Sequence, residues 1–168
     1  MSEGRTAIGF DPGLATTGYG IVREVEGRWE AVAGGVIRTE KRTPRADRLH
    51  LLHREARALI EEYAPVGVAI EEVFFATNAR TAMRTSEARG VLLMASSGVA
   101  VRGYTPLQVK KRITGYGKAN KAQVQAMVKR LLNLTEIPRP DDMADGLALA
   151  LCYLLEERGV NPRDGDYV

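Results

Sequence analysis

A single cysteine, Cys152, leaves no possibility of an internal disulfide, and its place inside an apolar helical pattern reads as a core position. No apolar run approaches the roughly 20 residues that a membrane-spanning helix needs. Only five apolar-leaning residues separate Met1–Arg5 from Asp11, too few for a secretory signal, so the expected location is the cytoplasm. Histidine is scarce: His50 and His53 lie on one helical segment and read as surface or packing residues. Acidic residues are scarce in one place only. Between Val73 and Thr135 the sole acid is Glu87 against eleven basic residues, a net +10, while the rest of the chain carries −7 and the whole +3. Such segregation points to a polyanion partner. The 168 residues fit one domain.

The remaining pattern is α/β. Thr6–Phe10, Gly18–Val25 and Trp29–Thr39 read as strands joined by short loops, an antiparallel meander. Helical spacing follows through Leu49, Leu52, Ala56, Leu59, Ile60 and Tyr63, with Pro44 and Asp47 at its start and Ala64-Pro65 at its end. Val66–Phe74 reads as a buried parallel strand, Thr77–Ser97 as a helix capped by Thr77 or Asn78, and Val99–Tyr104 as a fifth strand. Thr105-Pro106 is a cap-plus-proline start for a helix reaching Ile113. Another helix spans Asn120–Leu132, and a last one follows Pro140, with Asp141 expected as its N-cap. The order predicts a five-stranded mixed sheet with helices on both faces.

Four acids stand where acids are costly. Asp11 closes the run Ala7-Ile8-Gly9-Phe10, Glu71 ends Val66–Ile70, and Asp142 and Asp145 open the apolar helix through Leu147, Leu151 and Leu155. Carboxylates at the ends of core elements are expensive to desolvate unless a positive group meets them. No lysine or arginine is adjacent in sequence, so a divalent metal is implied, and hard oxygen donors select Mg²⁺ or Mn²⁺ over zinc. If the first and fourth strands are neighbours, Asp11 and Glu71 share one sheet edge. Taken singly, Asp142 and Asp145 are ordinary first-turn helix acids, and Asp11 in Asp-Pro-Gly is a turn former. Spacing leaves open whether Asp141 or Asp142 pairs with Asp145.

The segments Ile8-Gly9-Phe10-Asp11-Pro12-Gly13, Thr17-Gly18-Tyr19-Gly20 and Ala69-Ile70-Glu71-Glu72-Val73-Phe74 resemble the RuvC family of Holliday-junction resolvases. So do Gln108-Val109-Lys110, Lys121-Ala122-Gln123-Val124-Gln125-Ala126-Met127-Val128 and Asp142-Met143-Ala144-Asp145-Gly146-Leu147-Ala148. The resemblance covers nearly the whole chain in order. It implies a ribonuclease-H-like nuclease domain over residues 1–158, with 159–168 a disordered tail. It implies a homodimer that nicks four-way junction DNA, with a RuvA/RuvB-type branch-migration complex as a candidate further partner and a nucleoid-associated cytoplasmic location. It carries the catalytic and metal-binding roles onto Asp11, Glu71, Asp142 and Asp145, holding one or two Mg²⁺ (or Mn²⁺) ions per subunit, and leaves Asp141 as a cap.

The same resemblance makes Lys110 and Lys121 phosphate contacts near the site, with Lys118 in the same basic stretch. Phe74 and Phe75 follow the fourth strand directly; consecutive residues point different ways, and an aromatic beside a cutting site can stack on unpaired bases. The helix Thr77–Ser97, with small residues Ala79, Ala82, Ala88 and Gly90, is the expected dimer element. The expected reaction is metal-dependent phosphodiester hydrolysis leaving a 5′-phosphate and a 3′-hydroxyl. A non-catalytic junction-binding protein is the rival of the same fold. An actin-like nucleotide module, suggested by Asp11-Pro12-Gly13 and Thr16-Thr17-Gly18, needs a second domain and phosphate loop for which the chain has no room.

Overall fold

The structure is a computed structural model that describes residues 4–72 and 78–159. Its elements run β1 (Arg5–Asp11), β2 (Thr16–Val25), β3 (Arg28–Arg38), α1 (Arg45–Tyr63), β4 (Gly67–Glu71), α2 (Ala79–Ala95), β5 (Val101–Tyr104), α3 (Pro106–Thr114), α4 (Lys121–Leu131) and α5 (Asp141–Glu157). The strands form one sheet in the order β3-β2-β1-β4-β5. The β1–β2 and β2–β3 pairs are antiparallel, while β4 pairs parallel with both β1 and β5. This is the mixed sheet that three hairpin-linked strands followed by two crossover strands require.

Local chemistry explains the boundaries. The β2–β3 turn places Glu26 and Gly27 at φ 49° and 82°, the two left-handed residues that let a two-residue hairpin follow the strand twist. Asn78 accepts hydrogen bonds from the amides of Arg80 and Thr81 at the start of α2. Thr105 with Gln108 and Asn120 with Gln123 form reciprocal capping boxes on α3 and α4, as Thr105-Pro106 foretold for the former. The expected cap of α5 is corrected: Pro140 occupies the N-cap, and Asp141 is already the first helical residue with its side chain turned elsewhere. The β4 strand ends at Glu71, and the expected continuation to Phe74 runs into residues outside those described. The expected tail likewise falls, beyond Gly159, outside the described residues.

Both faces of the sheet are covered, so β1 alternates between two cores rather than between core and water. Ile8 and Phe10 join Leu52, Ala56 and Ile60 of α1 and Leu92 of α2, while Ala7 packs with Val109, Val128 and the length of α5. Helix α5 is buried from Gly146 to Leu155 without a break. It is apolar all round because it lies between the sheet and α3 and α4. Cys152 is fully buried there, and burial raises its thiol pKa, which keeps it protonated. No helix among the described residues is long and apolar enough to cross a membrane.

Helix α5 approaches the sheet so closely that only glycine fits at the crossing. A Cβ on Gly18 would lie 2.0 Å from the Asp142 carbonyl oxygen, one on Gly20 2.2 Å from the Leu147 amide nitrogen, and one on Gly9 2.0 Å from the Gly146 carbonyl oxygen. This contact brings the first turn of α5 down onto the end of β1.

Candidate active site

Parallel pairing sets Phe10 beside Ile70, so the next residues, Asp11 and Glu71, emerge together at the same end of adjacent strands. Antiparallel pairing sets Gly18 opposite Asp11, and the Asp142 backbone rests on that glycine. The result is a convergence of two strand ends and one helix start. One carboxylate oxygen from each of Asp11, Asp142 and Asp145 lies within 4.8 Å of the others, and all three residues are half-buried. Glu71 joins this triad by facing Asp11 at hydrogen-bonding range. Three of the four carboxylates expected from sequence meet within 4.8 Å, and Glu71 stands beside Asp11 outside that triad. Glu72, the next residue, is exposed.

The electrostatics show what the cluster costs. Burial, then the charge of Glu71, pushes the Asp11 carboxyl up to about 9, with Asp145 and Asp142 adding to the rise. Burial also raises Glu71, although its hydrogen bond with Asp11 pulls the other way. Burial raises Asp145, opposed by Lys121. Among the described residues, one ammonium pairs with this cluster, and it is on the rim: Lys121 Nζ stands 3.4 Å from Asp145 Oδ2 and 3.5 Å from Asp141 Oδ2. A single lysine on the outer edge leaves the centre short of positive charge.

The donor set fits a hard divalent ion. Oxygens on opposite sides of a Mg²⁺ ion stand about 4.2 Å apart, twice an ordinary Mg–O distance. Carboxylate oxygens already within 4.8 Å need only a small inward shift. Without a cation, the raised Asp11 makes stability pH-dependent with a definite sign. The folded form holds that proton more tightly than the ordinary value of 3.8, so the stabilisation is complete at low pH and is lost as pH rises toward about 9. Thermal melts in EDTA are therefore expected to fall between about pH 5 and about pH 9, a slope that Mg²⁺ flattens by favouring the charged carboxylates. A slope of the opposite sign would remove Asp11 as its source.

The basic residues are distributed less tightly. Lys121, the first residue of α4, reaches the cluster. Lys110 is half-buried on α3 and Lys118 is exposed in the turn before α4; neither forms an ion pair with the four carboxylates among the described residues. Phe74 and Phe75 lie outside the described residues. Three neighbours escaped the sequence reading. Gln125 of α4, a buried amide, donates from Nε2 to Asp141 Oδ1 at 3.1 Å, so Asp141 binds the basic helix rather than capping its own. Arg89 of α2 donates to the Glu71 carbonyl at 3.2 Å and ties the end of β4 to that helix. Gly18 had been visible only as part of the Thr17-Gly18-Tyr19-Gly20 motif; its spacing role depends on α5.

Helix α2, the expected dimer element, divides its small residues between two faces. Ala82 and Ala88 are buried, Ala88 among the α1 side chains Leu52, Ala56 and Ile60, while Ala79 and Gly90 are exposed on a face that also carries Met83 at 63% and Met94 at 61% exposure and Leu93.

A family model described as "Crossover junction endodeoxyribonuclease RuvC" matches residues 7–153. A protein of that description from Syntrophomonas wolfei subsp. wolfei is 48% identical over 149 residues, covering 88% of this chain and 87% of the relative. Another from Desulforamulus reducens is 48% identical over 148 residues, covering 87% of this chain and 91% of the relative. Among solved structures, the fold matches T. thermophilus RuvC in complex with a Holliday junction substrate, with a TM-score of 0.87, 34% identity, and 94% and 98% of the two chains covered. The yeast mitochondrial Holliday junction resolvase shares the fold at 15% identity and a TM-score of 0.65, over 92% of this chain and 81% of that one.

Proposed function

Because the chain belongs to the RuvC family of crossover junction endodeoxyribonucleases, we propose that it resolves four-way DNA junctions by hydrolysing phosphodiesters at the Asp11, Glu71, Asp142 and Asp145 cluster. The observation that carries this reading is the convergence of three carboxylate oxygens within 4.8 Å, with one lysine at their edge, in a chain otherwise basic along its α2–α4 stretch. A protein that only held junctions would gain nothing from gathering half-buried acids.

The four carboxylates would hold Mg²⁺ or Mn²⁺, one ion or two. A divalent ion there supplies Lewis-acid stabilisation of the phosphate oxygens and makes water more acidic. The chain's own groups do the rest. Asp11 and Glu71 are fixed by the sheet, Asp142 and Asp145 by the first two turns of α5, so the donors are preorganised on rigid elements. Lys121, at the rim, offsets negative charge that builds on the scissile phosphate. Lys110 and Lys118 contact the DNA backbone, and Phe74 and Phe75 stack at the junction centre. Hydrolysis leaves a 5′-phosphate and a 3′-hydroxyl, ends that a ligase can rejoin.

Paired nicks need two sites in fixed relation, which an isologous dimer provides. The outer face of α2, with Met83, Leu93 and Met94, supports that assembly. Coupling to a RuvA/RuvB-type complex is proposed from the family resemblance and is checked by co-assembly on junction DNA. The decisive assay for cutting uses synthetic four-way junctions with purified protein. With Mg²⁺ or Mn²⁺, symmetric ligatable nicks are expected in opposed strands. With EDTA, junction binding without nicks is expected. Binding with no nicking in either metal overturns the proposal.

A further inference from the structure

Lys121 occupies the first turn of α4, the positive end of the helix dipole, where a lysine is unfavourable. It is kept there by two carboxylates on α5, Asp145 at 3.4 Å and Asp141 at 3.5 Å. The two carboxylates have different surroundings. Asp145 is one of the cluster that would hold the metal, whereas Asp141 stands outside it. The Asp141 carboxylate is itself oriented: its Oδ1 accepts from the buried Gln125 amide at 3.1 Å and faces Arg139 NH1 at 3.6 Å, which leaves Oδ2 turned to Lys121. Gln125 is one turn along α4 from Lys121, so helix α4 grips Asp141 at two points.

A carboxylate engaged by a cation has less charge to offer a lysine. If Asp145 were the only partner of Lys121, loading the cluster would release the ammonium, or the ammonium would compete for Asp145. Asp141 removes that conflict by holding the lysine beside Asp145 without taking part in the cluster.

We infer that Asp141, oriented by Gln125, is a positioning residue that holds Lys121 at the scissile phosphate; this rests on the cutting reaction proposed above. A solvent-exposed ion pair contributes little to stability, so the expected effect is on turnover rather than on folding. In single-turnover assays with saturating Mg²⁺, Asp141→Asn is expected to lower the cleavage rate roughly tenfold. Junction affinity in EDTA and calorimetric Mn²⁺ affinity of the free protein are expected to stay within about threefold of wild type. Gln125→Met, which keeps the burial and removes the amide, is expected to act in the same direction more weakly. In a Lys121→Met background, Asp141→Asn is expected to add no further loss, the coupling that a double-mutant cycle detects. Three results overturn the inference: an unchanged rate in Asp141→Asn, an equal loss with and without Lys121, or a Mn²⁺ affinity reduced more than tenfold, which would make Asp141 a metal ligand. A wild-type protein that fails to nick in any metal overturns the proposed function and the inference with it. A wild type that nicks beside an unimpaired Asp141→Asn overturns the inference alone.

Discussion

Asp11→Asn is expected to reduce junction nicking by about a thousandfold or more, leave junction affinity in EDTA within about threefold of wild type, and raise the melting temperature of the metal-free protein. The two opposite effects have one cause. Asp11 is the member of the cluster that neighbours Glu71, Asp142 and Asp145 together, and its carboxyl is pushed up to about 9 by burial and then by those charges. An asparagine of the same shape is neutral at every pH, so it removes the cost of keeping a proton on a buried carboxyl that would ionise in the unfolded chain, and at higher pH the repulsion with the neighbouring acids. Relief of about 1 kcal/mol raises the melting temperature by roughly 2–4 °C in a chain of this size. The cost falls on the reaction, because the amide oxygen is a weak donor to a hard cation. Strain kept in a site because the chemistry needs it is the usual trade of stability for activity. Nicking kinetics with Mg²⁺, junction titration in EDTA and thermal melts in EDTA measure the three effects. Loss of junction binding together with nicking would instead place Asp11 in the structure of the strand end.

The second large effect arises without touching a charge. Gly18→Ala is expected to lower nicking by roughly a hundredfold for an ångström of displacement and to destabilise the fold by about 1–3 kcal/mol. Gly18 is the β2 residue paired with Asp11, and α5 crosses it at Asp142. The added methyl would sit 2.0 Å from the Asp142 carbonyl oxygen and 2.4 Å from its carbonyl carbon. These are backbone atoms of a helix whose body is buried from Gly146 to Leu155, so no rotamer change absorbs the contact. The first turn of α5 must lift, and Asp142 and Asp145 lift with it, away from Asp11 and Glu71. Rate measurements well below the variant's melting temperature separate displacement from unfolding. A variant that melts lower yet nicks at the wild-type rate would show that α5 relaxes without moving its acids.

The extent to which each feature was legible in the sequence follows the range of the interaction behind it. Short-range chemistry was readable. Thr105-Pro106 marked the start of α3 because a cap and a proline act within one turn. Cys152 was recognisable as core from the apolar pattern around it. Asp141 was misread for a physical reason. A side chain in that position can cap its own helix, but a lysine and an amide from α4 compete for the same oxygens, and helix α4 is 10 residues earlier in the chain. The small residues of α2 were legible only in part, since Ala82 and Ala88 turned out buried while Ala79 and Gly90 are exposed. Their size fits either a partner helix or α1, and only the packing chooses.

That four acids end apolar elements, that the basic charge is gathered in one stretch, and that the order of elements yields a mixed sheet could all be read from the residues in a row. These follow from desolvation cost, charge count and periodicity, which are properties of residues in a row. It took the folded arrangement to make β1 and β4 parallel neighbours, to bring three carboxylate oxygens within 4.8 Å, and to set Asp142 against Gly18 and Lys121 against Asp141. Those are distances between residues far apart in the chain, and they exist once the sheet has paired and α5 has closed over it.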